Sequence, residues 1–135
     1  MSLPSSRLSQ VKLLLLDVDG VLTDGRVFWS STGWTRFFDV KDGYGVRLAL
    51  KSGLEVAFLS GADSVDVRER ARRLGVKHTV LGSEDKLVGF QEILRATNFR
   101  PEDACYIADE LFDIPVLQAV GLAVTVPHAP AAVQK

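Results

Sequence analysis

The chain has 135 residues, of which 47% are hydrophobic and 24% are charged, and its formal net charge is −1. This composition is typical of a globular protein, and the near-neutral charge argues against nucleic acid and anionic membranes as partners. No apolar run approaches the roughly 20 residues that a membrane-spanning helix requires. Cys105 is the single cysteine, so no intrachain disulfide can form, and we expect a buried thiol in a cytoplasmic protein.

Short apolar runs alternate with amphipathic segments along the sequence. Buried strands are predicted at Leu13–Leu16, Glu55–Leu59, 78–81, 104–108 and 122–126. Helices are predicted between them, at 42–52, 63–74, 83–96 and 113–120. The second of these helices carries two oppositely charged pairs four residues apart, Asp66 with Arg70 and Glu69 with Arg73, which predict surface ion pairs.

The segment from about 26 to 39 interrupts this alternation. It is rich in aromatic residues and has Ser30-Ser31-Thr32-Gly33 at its centre, which predicts a β-hairpin. The remaining strands and helices predict an α/β fold, a three-layer sandwich with a mostly parallel, Rossmann-like sheet that carries the hairpin as an insertion. We expect residues 1–135 to form a single domain.

Residues capable of chemistry follow the predicted strands or begin the next helix. They are Asp17, Asp19, Ser60, Lys86 and Asp109, with Glu110 and Asp113 close behind. Because ligands bind beyond the carboxyl ends of the strands in an open parallel sheet, we expect these side chains to meet at one edge. Two carboxylates two residues apart, joined by a third from another strand, suit a hard cation that prefers oxygen ligands, and Mg²⁺ is the natural choice beside a phosphate ester.

This arrangement predicts a magnesium-dependent phosphatase. Asp17 would attack phosphorus and form an aspartyl phosphate, and Asp19 would act as general acid and then general base. Phosphoryl oxygens would be held by Ser60, Lys86 and the backbone amides near Gly20 and Gly61. The metal would be bound by Asp17, Asp19 and Asp109, with Glu110 and Asp113 holding metal-bound water.

The same residues resemble the haloacid dehalogenase superfamily of phosphatases. The resemblance is carried by Asp17-Val18-Asp19-Gly20-Val21-Leu22-Thr23-Asp24-Gly25, by Leu59-Ser60-Gly61, by Asp85-Lys86 and by Tyr106-Ile107-Ala108-Asp109. It is similar above all to the branch without a cap domain, which includes phosphatases of 3-deoxy-D-manno-octulosonate 8-phosphate and of sialic-acid-type 9-phosphates. The resemblance implies a sugar-acid phosphate as substrate, with the eight-carbon compound expected first and a nine-carbon one second.

The resemblance also implies a homotetramer in which the hairpins assemble at the centre. Trp29, Trp34, Phe37 and Phe38 would then lie in the interface, and Arg70 would contact the anionic substrate. The sequence departs from the family pattern at Ala62, where arginine is usual, and at Glu110, where aspartate is usual.

Two other functions fit parts of the pattern. A phospho-accepting receiver domain also combines a parallel sheet, Mg²⁺, Asp, Ser or Thr, and Lys, but its phosphorylated Asp ends the third strand rather than the first. A phosphatase fold retained as a catalytically degenerate structural subunit is the other, since a fold alone does not fix a function.

Overall fold

A computed structural model describes residues 8–134 of the chain. In chain order the elements are β1 (Leu13–Leu16), β2 (Phe28–Ser30), β3 (Gly33–Thr35), α1 (Val40–Lys51), β4 (Glu55–Leu59), α2 (Val65–Leu74), β5 (His78–Val80), α3 (Lys86–Thr97), β6 (Ala104–Ile107), α4 (Ile114–Ala119), β7 (Leu122–Val124) and α5 (Ala131–Gln134). Short 3₁₀ turns at Pro101–Asp103 and Leu111–Asp113 precede β6 and α4.

Five strands form a parallel sheet in the order β5-β4-β1-β6-β7, with β1 at its centre. Side chains of a strand alternate between faces, so the four leucines of β1 serve two cores. Leu13 and Leu15 pack with Phe90 of α3 on one face, whereas Leu16 packs with Val67 of α2 on the other. Helices therefore cover both faces, and the predicted three-layer α/β sandwich is confirmed.

The predicted hairpin is also confirmed, as the antiparallel pair β2–β3. Trp29 and Trp34 lie opposite each other and contact edge to face, with ring centroids 5.2 Å apart. Trp29 is 70% exposed and Phe37 is 74% exposed, whereas Phe38 packs against the core on the α1–α2 face. The hairpin segment thus presents four large aromatic side chains to solvent, those of Phe28, Trp29, Trp34 and Phe37, and Phe38 is not among them.

Helix boundaries differ from the prediction by a few residues, because capping rather than hydrophobic spacing fixes them. Helix α1 begins at Val40, after Asp39 accepts a hydrogen bond from the Lys41 amide. Helix α3 begins at Lys86 rather than at Ser83, because Asp85 is the N-cap and accepts from two amides of the first turn. Helix α5 was not predicted.

Cys105 lies buried in β6, as predicted, and burial raises the pKa of its thiol to about 11. Between residues 8 and 134, none of the helices is both long enough and apolar enough to cross a membrane.

Candidate active site

A cavity of about 480 Å³ opens at the carboxyl ends of β1, β4 and β6. Its walls include seven of the predicted site residues: Asp17, Asp19, Gly20, Ser60, Gly61, Asp109 and Glu110. Gly25, Ala62 and Phe112 complete the lining. A larger groove of about 800 Å³ at the opposite end of the sheet, between α1 and α2, contains none of the predicted site residues. The chemistry predicted from the sequence is therefore concentrated at one edge.

Lys86 is the centre of a buried polar network behind this cavity. Its side chain is 1% exposed, and its Nζ lies 3.1 Å from Asp17 Oδ1 and 2.6 Å from Asp113 Oδ1. Nζ also donates to the Tyr106 hydroxyl at 3.2 Å, and that hydroxyl donates to Asp113 Oδ1 at 2.7 Å. Since charged groups are rarely buried unless they are paired, these contacts explain how a lysine can begin a helix inside the protein.

Asp17 sits where its ionisation is strongly affected by its surroundings. Burial raises the pKa of Asp17 to about 7, the Lys86 ammonium opposes this rise, and the charge of Asp113 adds to it. Asp17 Oδ1 accepts from both Lys86 and the Val18 amide. A cation beside Asp17 would favour its ionised form, which is the form that can act as a nucleophile.

The carboxylates of Asp17, Asp109 and Asp113 offer oxygen atoms that lie within 4.8 Å of one another. Three carboxylates face one ammonium here, so a divalent cation would balance the charge when all are ionised. Asp109 Oδ1 is buried and has no hydrogen-bond partner among the described residues, whereas both oxygens of Asp113 are occupied by protein groups. The arrangement fits a metal held by Asp17 and Asp109, whereas Asp113 accepts hydrogen bonds from Lys86 and Tyr106.

Gly20 allows Asp109 to approach the first strand. A Cβ at this position would lie 1.7 Å from Asp109 Oδ2, and the φ angle of 83° is one that favours glycine. The close approach of the β1 and β6 ends is what brings Asp109 next to Asp17.

Ser60 forms the wall across from these acids. It directly follows β4 and is buried, and its hydroxyl accepts a hydrogen bond from the Ala62 amide at 3.1 Å. This contact fixes the turn through Gly61, which also lines the cavity. A hydroxyl and exposed backbone amides are groups that can donate to phosphoryl oxygens.

Asp19 points its carboxylate at an arginine from the hairpin. Arg36 Nε donates to Asp19 Oδ1 at 2.6 Å and Nη2 donates to Oδ2 at 3.2 Å. The guanidinium also bonds to Asp66 and Ser64 on its far side. Asp66 therefore pairs with Arg36, and the predicted ion pair between Asp66 and Arg70 is wrong, whereas the pair between Glu69 and Arg73 is present.

Arg70 lies away from the cavity lining. Its Nη2 donates to the Asp39 carbonyl at 3.0 Å, and its guanidinium lies 5.3 Å from the ring centroid of Phe38. Arg70 thus joins α2 to the start of α1.

Glu110 lines the cavity and is exposed, and its amide donates to Asp113 Oδ2 at 3.1 Å.

Two functional candidates, Tyr106 and Arg36, were not identified from the sequence. Tyr106 lies in an apolar run and resembles an ordinary core residue, although a tyrosine in a buried strand beside a predicted site needs a partner for its hydroxyl. For Arg36 no local signal exists, because its contact with Asp19 depends on where the hairpin lies.

The chain has close sequence and structural relatives. It is 40% identical over 125 residues to the 3-deoxy-D-manno-octulosonate 8-phosphate phosphatase of Escherichia coli K12, a match covering 92% of this chain. The chain spans about two thirds (66%) of the length of that relative. No protein-family model matches it.

Solved structures of the same kind of protein superpose closely on the chain. The 3-deoxy-D-manno-octulosonate 8-phosphate phosphatase of Yersinia pestis is 38% identical with a TM-score of 0.91, covering 96% of this chain and 70% of that one. The corresponding phosphatase of Moraxella catarrhalis, in complex with a magnesium ion, a phosphate ion and a KDO molecule, is 31% identical with a TM-score of 0.90, covering 95% and 74%. Given this similarity and the site geometry, the chain belongs to the haloacid dehalogenase superfamily, in the family of the 3-deoxy-D-manno-octulosonate 8-phosphate phosphatases.

Proposed function

We propose that this protein is a magnesium-dependent phosphatase that hydrolyses a sugar-acid phosphate monoester, with 3-deoxy-D-manno-octulosonate 8-phosphate as the first expected substrate. The observation that carries the proposal is the cluster of Asp17, Asp109 and Lys86 at the carboxyl edge of the sheet. The substrate and the metal are those of the M. catarrhalis relative, which bears magnesium, phosphate and KDO.

In the first half-reaction the Asp17 carboxylate attacks phosphorus and the bond from phosphorus to the sugar oxygen breaks. Asp19 gives its proton to the departing alkoxide. Two unit negative charges about 4 Å apart repel by roughly 4 kcal/mol at an effective dielectric near 20, and the Lys86 ammonium offsets part of this repulsion. Mg²⁺, held by the side chains of Asp17 and Asp109 with the backbone carbonyl of Asp19 as the third predicted ligand, would supply further neutralisation of the phosphoryl charge when bound.

In the second half-reaction Asp19 takes a proton from a water molecule, which attacks phosphorus and breaks its bond to Asp17. Phosphate leaves and the Asp17 carboxylate is restored. Through both steps Ser60 and the amides near Gly20 and Gly61 hold the phosphoryl oxygens. Asp113 and Tyr106 keep Lys86 directed at Asp17, and Glu110 is proposed to hold metal-bound water.

Kinetics on purified protein test this function. We expect hydrolysis of 3-deoxy-D-manno-octulosonate 8-phosphate with Mg²⁺ and none after chelation, and a lower kcat/KM for a nine-carbon sugar-acid 9-phosphate. Asp17→Asn should abolish turnover, whereas Glu102→Gln, on an exposed side chain elsewhere, should not. A phospho-accepting receiver would become labelled by a phosphodonor but would not turn over, and retained turnover in Asp17→Asn would remove Asp17 from the nucleophile role.

We further propose that the protein is a cytoplasmic homotetramer assembled through its hairpins, with Arg70 available to a neighbouring subunit's substrate. The exposed Trp29, Trp34 and Phe37 support an interface there, since a patch of large aromatic side chains is unusual on a free surface. Sizing chromatography tests this assembly, and a clear monomer would refute it.

A further inference from the structure

We propose that Arg36 is a positioning residue for Asp19, so that the hairpin of the same chain sets the orientation of the predicted acid–base group. The inference rests on the proposed phosphatase function. It adds to that function a residue of the hairpin segment, which lies outside the strand ends and the helix start that carry the predicted catalytic side chains.

Arg36 and Asp19 form a bidentate ion pair. Two nitrogen atoms of one guanidinium meet the two oxygen atoms of one carboxylate, at 2.6 Å and 3.2 Å. This two-point geometry fixes the plane of the carboxylate as well as its distance, which a single hydrogen bond cannot do. Asp19 lies on a loop with its side chain 38% exposed, so without this contact its side-chain torsions would be free to vary.

The Arg36 guanidinium is also hydrogen-bonded on the side that faces away from Asp19. Nη1 donates to Asp66 Oδ1 at 3.1 Å and to Ser64 Oγ at 3.0 Å. The backbone amide of Arg36 donates to Asp66 Oδ2 at 2.7 Å, so one carboxylate at the start of α2 fixes both the main chain and the side chain of this residue. The Arg36 side chain is only 6% exposed, which is unusual for an arginine and indicates a defined orientation.

A positioning role follows from these contacts. Asp19 must reach both the departing sugar oxygen and the attacking water, and small displacements of a reacting group are costly in rate. Arg36 restricts Asp19 to one orientation at the cavity wall, while Asp66 and Ser64 restrict Arg36. Lysine would keep the charge but lose the paired geometry, because an ammonium is a point donor.

A double-mutant cycle tests the assignment, using wild type, Arg36→Met, Asp19→Asn and the double variant. We expect Arg36→Met to lower kcat about 10- to 100-fold with KM changed by less than about threefold, as a misplaced reacting group implies. In the Asp19→Asn background the same change should cause no further loss. Arg36→Lys should recover part of kcat, and Asp66→Asn should lower kcat several-fold without touching Asp19.

Arg72→Met is the matched control, because Arg72 makes a comparable two-point contact with Glu69 on the outer surface of α2. It should leave kcat unchanged. Melting temperatures of the four proteins of the cycle, measured in EDTA, give a readout that needs no turnover: the two single changes should lower the melting temperature non-additively. If Arg36→Met does not fold, Arg36→Lys and Asp66→Asn carry the test.

Equal kcat losses in the wild-type and Asp19→Asn backgrounds, or additive melting temperatures, would overturn the role of Arg36 while leaving the phosphatase proposal intact. Absence of turnover in the wild-type protein would instead overturn the phosphatase proposal.

Discussion

Replacing Asp17 by asparagine is expected to stabilise the metal-free protein at neutral and alkaline pH. Burial raises the pKa of Asp17 from 3.8 to about 7, so between these values the folded protein holds a proton that the unfolded chain has lost. Stability therefore falls as pH rises through this range. Asparagine resembles the protonated acid and escapes this loss. Its Oδ1 can still accept from Lys86 and the Val18 amide, as Asp17 Oδ1 does.

The difference between a pKa of 3.8 and one of about 7 corresponds to about 4 kcal/mol at most, at about 1.4 kcal/mol for each pH unit. Relaxation of the site reduces this, and we expect the unfolding free energy of Asp17→Asn to exceed that of wild type by about 2 kcal/mol at pH 8 and by only about 0.8 kcal/mol at pH 5. For a chain of this size that is a rise in melting temperature of about 6 °C at pH 8.

Thermal unfolding of both proteins in EDTA across pH 5 to 8 measures this difference directly. Effects of titrating groups that do not interact with Asp17 cancel in the comparison, and Glu102→Gln should follow the wild-type curve. Adding Mg²⁺ should stabilise wild type increasingly with pH, because the ion binds the ionised carboxylate, and should stabilise Asp17→Asn less. If the stability of wild type and that of Asp17→Asn change in parallel between pH 5 and pH 8, ionisation of the buried Asp17 carboxyl does not lower the folding stability, and this reasoning is refuted.

Four further changes test separate parts of the structure. Tyr106→Phe removes a hydroxyl bonded to the Lys86 network, and should lower the unfolding free energy by about 1–2 kcal/mol in denaturant titrations and lower kcat. Gly20→Ala places a Cβ against Asp109, and should weaken Mg²⁺ binding measured by calorimetry far more than Gly45→Ala, where a Cβ meets open space. Trp34→Lys should shift the elution volume in sizing chromatography towards a smaller species. Ala62→Arg should lower KM for a sugar-acid phosphate about tenfold, equivalent to about 1.4 kcal/mol, but leave KM for an uncharged aryl phosphate ester nearly unchanged.

The sheet and the metal site follow from simple sequence rules. The runs Leu13–Leu16 and Glu55–Leu59 form strands with the predicted bounds, because continuous apolar stretches can be buried on both faces of a parallel sheet. Asp17 and Asp109 meet because parallel strands end at the same edge, a consequence of topology that needs no side-chain detail. The roles assigned to these residues stay predictions, and so does the single domain over 1–135.

Contacts that depend on the relative placement of two elements were not predictable in this way. The pairing of Asp66 with Arg36 replaces the i,i+4 pair with Arg70, because the hairpin brings a guanidinium with a fixed orientation to the start of α2. The Tyr106 hydroxyl reaches Lys86 only because β6 places residue 106 beside Leu15 in the centre of the sheet. Local propensity carries no information about either contact.

Within residues 8–134, the cavity that contains most of the predicted catalytic residues offers no cationic side chain in its lining for the carboxylate of a sugar-acid substrate. Among the described residues that line it, none is a lysine or an arginine, and four are acidic. Lys86 and Arg36 lie near the cavity but not in its lining, and their charged groups are already bonded to carboxylates of the protein. A sugar acid brings a carboxylate in addition to its phosphate, and that carboxylate would meet a negative wall here. If Mg²⁺ serves the phosphate, cations from outside this lining are expected to receive the carboxylate. This favours an active site completed by a neighbouring subunit, and it predicts that KM, more than kcat, rises when the proposed assembly is broken.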